Sequence, residues 1–359
     1  MRTPHDTGVD LASNDYLGLA RDPRLAAAAR DAVDTWGTGS TSSALVAGTT
    51  ELHTELEAAL AHLVSMESAL VYSSGYLANL GVITALGGPA TFIVADSHCH
   101  ASIVDGVRLS RSPHAMFEHN SLDEAEQLLA GRTEPRALLV VESIYSVLGD
   151  AAPLAELLAL AVRYDAVLLV DEAHGIGVVG AGRGAVSASE LAGHPNVIVT
   201  ATLSKALGSQ GGAVLSSKRV REHLINRSRS FIFDTALAPA AAAAAHTAIE
   251  IIRAEPSLAS EVGRRATRLM DGIALRQPAM AERFDRGVGA VQSIRMPNAA
   301  AALSAMQSAR SAGVMVGCFR PPSVPDGISR LRLVARATLT EAELDRATSV
   351  LSSVLGDET

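Results

Sequence analysis

Two short stretches of this sequence hold side chains whose types and spacing could do chemistry together. VLLVDEAHGIGVVGAGRG, residues 167–184, carries Asp171 and, three residues on, His174, while ATLSKALGSQGG, residues 201–212, offers Thr202, Ser204 and Lys205. A lysine amine can form an imine with an aldehyde, and a carboxylate can hold a proton on a ring nitrogen. Those are the two protein groups that pyridoxal phosphate requires, and Lys205 and Asp171 fit them. Other readings of the same letters compete. Asp171-Glu172-Ala173-His174 also spells the metal-binding box of a helicase family, which needs a phosphate loop of the form G-x-x-x-x-G-K-[ST], and the sequence contains none. Gly175, Gly177 and Gly180 spell a dinucleotide fingerprint, but small and polar residues separate it from the preceding apolar run, and further glycines rather than a helix follow. The plainest alternative is a polar pair that merely caps a strand end.

Three further motifs argue against that alternative. In SSGYLAN, residues 73–79, Ser74, Gly75 and Tyr76 leave an apolar run and enter a helical pattern, where free backbone N–H groups and the helix dipole suit a phosphate. In ADSHCHASIVDG, residues 95–106, His98 and His100 flank Cys99. An H-x-H pair with no third acidic or cysteine ligand nearby is a poor metal site, and a ring stacked on a planar cofactor is the better functional reading of one of them. In CFRPPSVPDGISRLRL, residues 318–333, Pro321, Pro322 and Pro325 stiffen a loop flanked by Arg320, Arg330 and Arg332. Arginine grips carboxylates through two parallel hydrogen bonds, so such a loop suits an amino-acid carboxylate or a dicarboxylate tail; a solvated basic turn is the alternative.

The elements that must position these groups follow from periodicity. Nearly continuous apolar runs predict buried strands at Ala69–Tyr72, Thr91–Ala95, Ala137–Val141, Ala166–Val170, Val197–Thr200 and Ala213–Leu215. Between them, Leu122–Leu129 and Ala155–Tyr164 carry apolar residues at three and four spacing, as crossover helices do, with Pro153 suited to a first turn. This is the pattern of an α/β domain with a mostly parallel central sheet, whose strand ends form the ligand crevice. After the run Ala238–Ala245, read as a buried helix begun by Pro239, long helices and strand candidates at Ser293–Met296 and Leu331–Val334 mark a smaller C-terminal α/β domain. The expected division is an N-terminal segment 1–40, a large domain 41–240 and a small domain 241–359.

Composition narrows the classes. A net charge of -8, with arginines scattered rather than gathered in a stripe, gives no footprint for nucleic acid. No apolar stretch reaches the roughly 18 residues a membrane span needs, and no export signal opens the sequence, so a cytoplasmic location is expected. Cys99 and Cys318 are too few for a disulfide framework.

Taken together and in order, SNDYLGL, SSGYLAN, ADSHCHAS, VDEAHGIGV, TLSKALG and RPPSVPDGISRLRL resemble the α-oxoamine synthases, a family of fold-type I pyridoxal-phosphate enzymes, over residues from about Asp10 to the C-terminus. The resemblance implies Lys205 as the lysine that carries the cofactor, Asp171 on the ring nitrogen, and His174 and Ser146 near the cofactor's 3-hydroxyl. It implies His100 stacked on the ring, Gly75, Tyr76 and Thr202 as further cofactor contacts beside Ser74, and Thr235, in FIFDTALAP, as a phosphate contact given by the neighbouring subunit of a homodimer. Lys205, His100 and Asp171 would be the catalytic set. Asn14 and Arg332 would meet the amino-acid carboxylate, with Arg320 and Ser323 as acyl-chain or product contacts. No metal is implied.

Within the family the wording R-P-P-S-V-P is similar to members that condense L-alanine with a pimeloyl thioester, on CoA or a carrier protein, with loss of carbon dioxide in biotin biosynthesis. Glycine-using members are the alternative, a fold-type I aminotransferase a second, and a catalytically silent paralogue a third. The sequence departs from the family pattern at Ala44, where an arginine is usual, and at Val147 and Leu148. It also starts almost at SNDYLGL, where relatives carry a further arm with a basic contact to the acyl substrate, so either the start codon is misplaced or acyl binding is altered.

Overall fold

A computed structural model describes residues 8–356. Seven strands form the larger sheet: β2 (Ser68–Tyr72), β3 (Thr91–Asp96), β4 (His114–Phe117), β5 (Arg136–Glu142), β6 (Ala166–Asp171), β7 (Val197–Thr202) and β8 (Gly212–Ser216), in the order β2-β8-β7-β6-β5-β3-β4. Five more, β1 (Val9–Leu11), β9 (Phe284–Asp285), β10 (Val291–Arg295), β11 (Val314–Phe319) and β12 (Arg330–Val334), form a second sheet ordered β1-β11-β12-β10-β9. Because β5, β6 and β7 are buried on both faces, they read as unbroken Val, Leu and Ile runs, and their parallel pairing aligns their C-terminal ends. One strand breaks the parallel rule. β8 is antiparallel to both β2 and β7, because only residues 203–211 connect it to β7, too few for a crossover helix.

The crossover helices form at Leu122–Gly131 and Leu154–Arg163, with Pro153 just ahead of the second as its N-cap. The alanine-rich run is a helix over Pro239–Ala254 with the proline in its first turn, and it buries Ala242, Ala245, Ala248 and Ile249 in the large sheet's core. The expected boundary at 240 therefore falls inside this helix: its packing ties residues up to 254 to the large domain, since an alanine face lets the helices at Pro23–Trp36 and Glu51–Val64 approach closely. The N-terminal segment is not separate either. β1 pairs in parallel with β11, Val9 against Val314, so residues 9–11 belong to the C-terminal sheet. The chain then crosses to the large sheet through Ser13–Leu19, carrying buried Tyr16 between the two sheets. Among the described residues no helix is long and apolar enough to cross a membrane.

Candidate active site

The carboxyl ends of β5, β6 and β7 deliver Glu142, Asp171 and Thr202 to one edge, with Glu142 beside Asp171 in register. Above them opens a cavity of about 230 Å³ lined by Ser74, Gly75, Tyr76, His100, Asp171, His174, Thr202 and Lys205. Eight residues drawn from four motifs thus share one wall. Gly212 allows the close approach this requires: a Cβ there would lie 2.4 Å from the Gly75 nitrogen, where β8 passes the start of the Gly75–Leu86 helix. Ser74 caps that helix by accepting from Leu77 N–H, and the Gly75 and Tyr76 N–H groups, first in the helix, have no intrahelical acceptor. Both residues line the cavity, and free N–H groups at a helix start suit an anion.

Asp171 is buried and held on both oxygens. Its Oδ1 accepts from Ala173 N–H at 2.9 Å and its Oδ2 from Asn79 Nδ2 at 2.7 Å, and Asn79 also donates to Ser102 Oγ. Lys205 Nζ lies 2.8 Å from His174 Nε2, and His174 Nδ1 lies 2.6 Å from the Tyr16 hydroxyl. Burial pulls the Lys205 ammonium down to about 8, against the opposing pull of Asp171 and Glu142. The amine is therefore neutral in a useful fraction of molecules at ordinary pH. Burial, and then the Lys205 charge, drives His174 well below the usual histidine range, so the ring is neutral. Burial, reinforced by the Asp171 charge, pushes the Glu142 carboxyl up. His100 caps the Ala101–Ser110 helix, with Nδ1 2.8 Å from Ser102 Oγ and its ring open to the cavity.

A second cluster, of Arg332, Asn14 and Ser146, is joined to the site by hydrogen bonds without lining the cavity. Arg332, buried on β12, donates from Nη1 to Asn14 Oδ1 at 3.0 Å and from Nε to the Ser146 carbonyl at 2.6 Å. The Ser146 N–H in turn donates to Glu142 Oε2. Ser146 therefore meets the site through its backbone, and the altered residue beside it, Val147, accepts from the Ser293 hydroxyl, which ties this loop to the small sheet. Arg330 points elsewhere, paired with Asp285 and Asp326. Arg320 and Ser323 stay exposed in the loop after β11 and do not line the cavity. Thr235 lies outside it too, in a separate hollow shared with Ala44 and Asp234. His98 stacks on His119 at 3.9 Å between centroids, away from the cavity.

Four residues of the site carried no assignment in the sequence. Asn79 stands one turn after Gly75, so its helical spacing within SSGYLAN was a usable signal. Tyr16 stands two residues from Asn14 in SNDYLGL. Glu142 ends an apolar run as Asp171 does, and Ser102 follows His100 by two. The arrangement fits pyridoxal phosphate: an amine, a fixed carboxylate, a ring able to stack and an anion-binding helix start share one cavity.

Asn79 gives a direct test of that fit. Asn79→Ala leaves Asp171 Oδ2 without its side-chain donor, and a hydrogen bond to a charged group contributes about 1.5–3 kcal/mol. Pyridoxal phosphate is expected to bind roughly tenfold or more weakly, read by equilibrium dialysis. An unchanged Kd would leave Asn79 a helix residue and nothing more.

The chain matches the family model described as aminotransferase class I and II over residues 6–351. It is 49% identical over 357 residues to the 8-amino-7-oxononanoate synthase of Mycolicibacterium gilvum, covering 99% of this chain and 91% of that one. Among solved structures, a serine palmitoyltransferase from S. paucimobilis carrying PLP joined to myriocin superposes with a TM-score of 0.92 at 31% identity, over 98% of this chain and 88% of the other. An 8-amino-7-oxononanoate synthase from Francisella tularensis superposes at 0.83 with 25% identity, over 98% and 99%.

Proposed function

The chain belongs to the class I and II aminotransferase family, and from that premise we propose that it is a pyridoxal-phosphate-dependent acyltransferase joining L-alanine to a pimeloyl thioester. The products are 8-amino-7-oxononanoate, the free thiol and carbon dioxide, a step of biotin biosynthesis. The observation that carries the chemistry is the single cavity in which Lys205 faces a buried, doubly held Asp171 beside the Gly75 helix start. The substrate pair is supported by the name of relatives about half identical over nearly the whole chain.

Lys205 and Asp171 would hold the cofactor, with the Gly75 and Tyr76 N–H groups and Thr202 available to its phosphate and His100 to its ring. When bound, pyridoxal phosphate supplies the electron sink for charge left at the amino acid's Cα. Arg332 and Asn14 receive the alanine carboxylate, which orients the Cα–H bond toward Lys205. Lys205 then takes the Cα proton, because its lowered basicity leaves a neutral amine at working pH. The Cα carbon bonds to the thioester carbonyl, the thiolate leaves, the carboxylate departs as carbon dioxide, and the proton held on Lys205 returns to Cα. Dimer formation belongs to the same reading. Thr235 is exposed, and the apolar side chains Phe233 at 69%, Val46 at 78% and Tyr76 at 42% exposure are left uncovered; in this reading a second copy covers them and brings Thr235 to its neighbour's phosphate. In the same reading Arg320 and Ser323, exposed in this chain, would be acyl-chain or product contacts.

The test is thiol release by the purified, cofactor-loaded protein. Release that needs both L-alanine and pimeloyl-CoA is expected. Release with glycine and a shorter acyl-CoA but not with that pair overturns the substrate assignment, and transamination without any thioester overturns the reaction.

A further inference from the structure

Tyr16 is fully buried and has no place in the chemistry described so far. Its hydroxyl sits between two parts of the site: 2.6 Å from His174 Nδ1 on one side and 3.3 Å from Asn14 Oδ1 on the other. Beyond His174, Nε2 lies 2.8 Å from Lys205 Nζ, and beyond Asn14, Oδ1 accepts from Arg332 Nη1 at 3.0 Å. A continuous path of hydrogen bonds thus runs from the lysine amine to the carboxylate-binding arginine, and Tyr16 is its middle link.

A neutral imidazole carries one proton, so its two nitrogens must differ, one donating and one accepting. When Lys205 is an ammonium, its N–H donates to Nε2, the His174 proton sits on Nδ1 and is given to the Tyr16 oxygen, and the Tyr16 O–H turns to Asn14. When Lys205 is a neutral amine, its lone pair is best met by an Nε2–H donor, so Nδ1 becomes the acceptor and the Tyr16 O–H turns to it. Both arrangements leave every buried atom of the path partnered, which a residue without a hydroxyl would not. A hydroxyl is needed because it both donates and accepts, and burial holds the Tyr16 proton on, pushing its ionisation up to about 12.

We propose that Tyr16 is a positioning residue that sets which nitrogen of His174 bears the proton and thereby links the protonation of Lys205 to the Asn14–Arg332 carboxylate site. This deepens the function proposed above, and its test uses neither substrate nor product, so the two fail separately. The charged and titratable groups facing Lys205 and His174 are Asp171, Glu142, Arg332 and His100, and all stay in place when the Tyr16 ring is kept.

Tyr16→Phe keeps the ring and removes the hydroxyl. With Lys205 charged, His174 Nδ1–H then has no acceptor, a costlier loss in a buried site than the bare Nδ1 lone pair left when Lys205 is neutral. The variant should therefore lower the basicity of Lys205. The sequence has only two lysines, Lys205 and Lys218, the second exposed. In the cofactor-free protein, acetic anhydride labelling of each lysine is followed against pH by peptide mass spectrometry, with Lys218 as internal reference. The Lys205 midpoint is expected to fall by about one pH unit in Tyr16→Phe, a tenfold change in the ratio of its two forms, while Lys218 does not move. An unshifted Lys205 midpoint in a folded variant overturns the proposal, since a merely structural Tyr16 changes melting and not this titration.

A second measurement needs no Tyr16 variant. Long-range ¹H–¹⁵N NMR of the wild type, with the His174 signals assigned by their loss in His174→Gln, should show its proton moving from Nδ1 to Nε2 as Lys205 deprotonates. A tautomer that stays fixed through that titration overturns the proposal as well.

Discussion

Replacing Lys205 with alanine is expected to lower alanine-dependent thiol release from pimeloyl-CoA by about 10⁴ or more, because one side chain serves both as cofactor tether and as base. A positioned general base contributes about 10² to 10⁴ by itself, and the methyl group left behind can do neither task. His174 does not substitute. It lies within 2.8 Å of the lysine nitrogen, yet burial keeps it a neutral ring whose Nδ1 is engaged by Tyr16, so its spare capacity is for orienting a proton and not for removing one from carbon. A readout independent of turnover accompanies the rate. Borohydride treatment of the cofactor-loaded wild type should fix the cofactor's mass on the peptide containing Lys205 and leave the Lys218 peptide unlabelled, a clean distinction in a chain with two lysines. A variant within about tenfold of the wild-type rate would remove Lys205 from the proton transfer.

How far this site could be read from sequence depended on how local its determinants are. β5, β6 and β7 were legible because strands buried on both faces must be continuously apolar, and Asp171 and Lys205 ride on the ends of two of them. β4 was not. It is an edge strand whose His114 and Met116 are exposed, so HAMF lacks the apolar signal. β1 escaped for a different reason: three residues give no period, and Val9–Leu11 is a strand only because β11, some three hundred residues later, offers its edge. The antiparallel run of β8 was hidden in a connection length, residues 203–211, and not in the strand's own letters.

The site divides in the same way. Ser74, Gly75, His100, His174 and Thr202 sit in motifs whose local geometry already points them at a strand end, and the cavity gathers all of them. Arg332 joins Asn14 only because β1, which leads into Asn14, and β12 both pair with β11, and its neighbour Arg330, equally basic, two residues away and on the same face of β12, is neutralised by Asp285 and Asp326. What separates the two is which partners each meets along the strand, Asp285 and Asp326 for one and Asn14 for the other, and no local rule could have chosen between them. Glu142 and Tyr16 were invisible for a related reason. Each is meaningful only by what another element places against it, β6 in register for the first and His174 for the second.

Asp171 is where the second large effect is expected, and Asp171→Asn separates its charge from its shape. Asparagine keeps the volume and one carbonyl oxygen, which can still accept from Ala173 N–H or Asn79 Nδ2, so the cavity floor should survive. What is lost is the negative charge. An opposite charge within about 4–6 Å favours a protonated nitrogen by 1–3 pH units, so removing it should lower the rate by about 10² to 10³, with thiol release from saturating L-alanine and pimeloyl-CoA as the measurement. The comparison with Asn79→Ala fixes the interpretation. That variant leaves the charge in place and loosens only the orientation of the carboxylate, so its effect should appear mainly in cofactor retention, whereas Asp171→Asn should retain cofactor at saturating concentration and lose turnover. Equal losses of turnover in both variants would mean that the carboxylate acts through its position alone, and an Asp171→Asn rate close to wild type would mean that the negative charge at the end of β6 plays no part in the reaction.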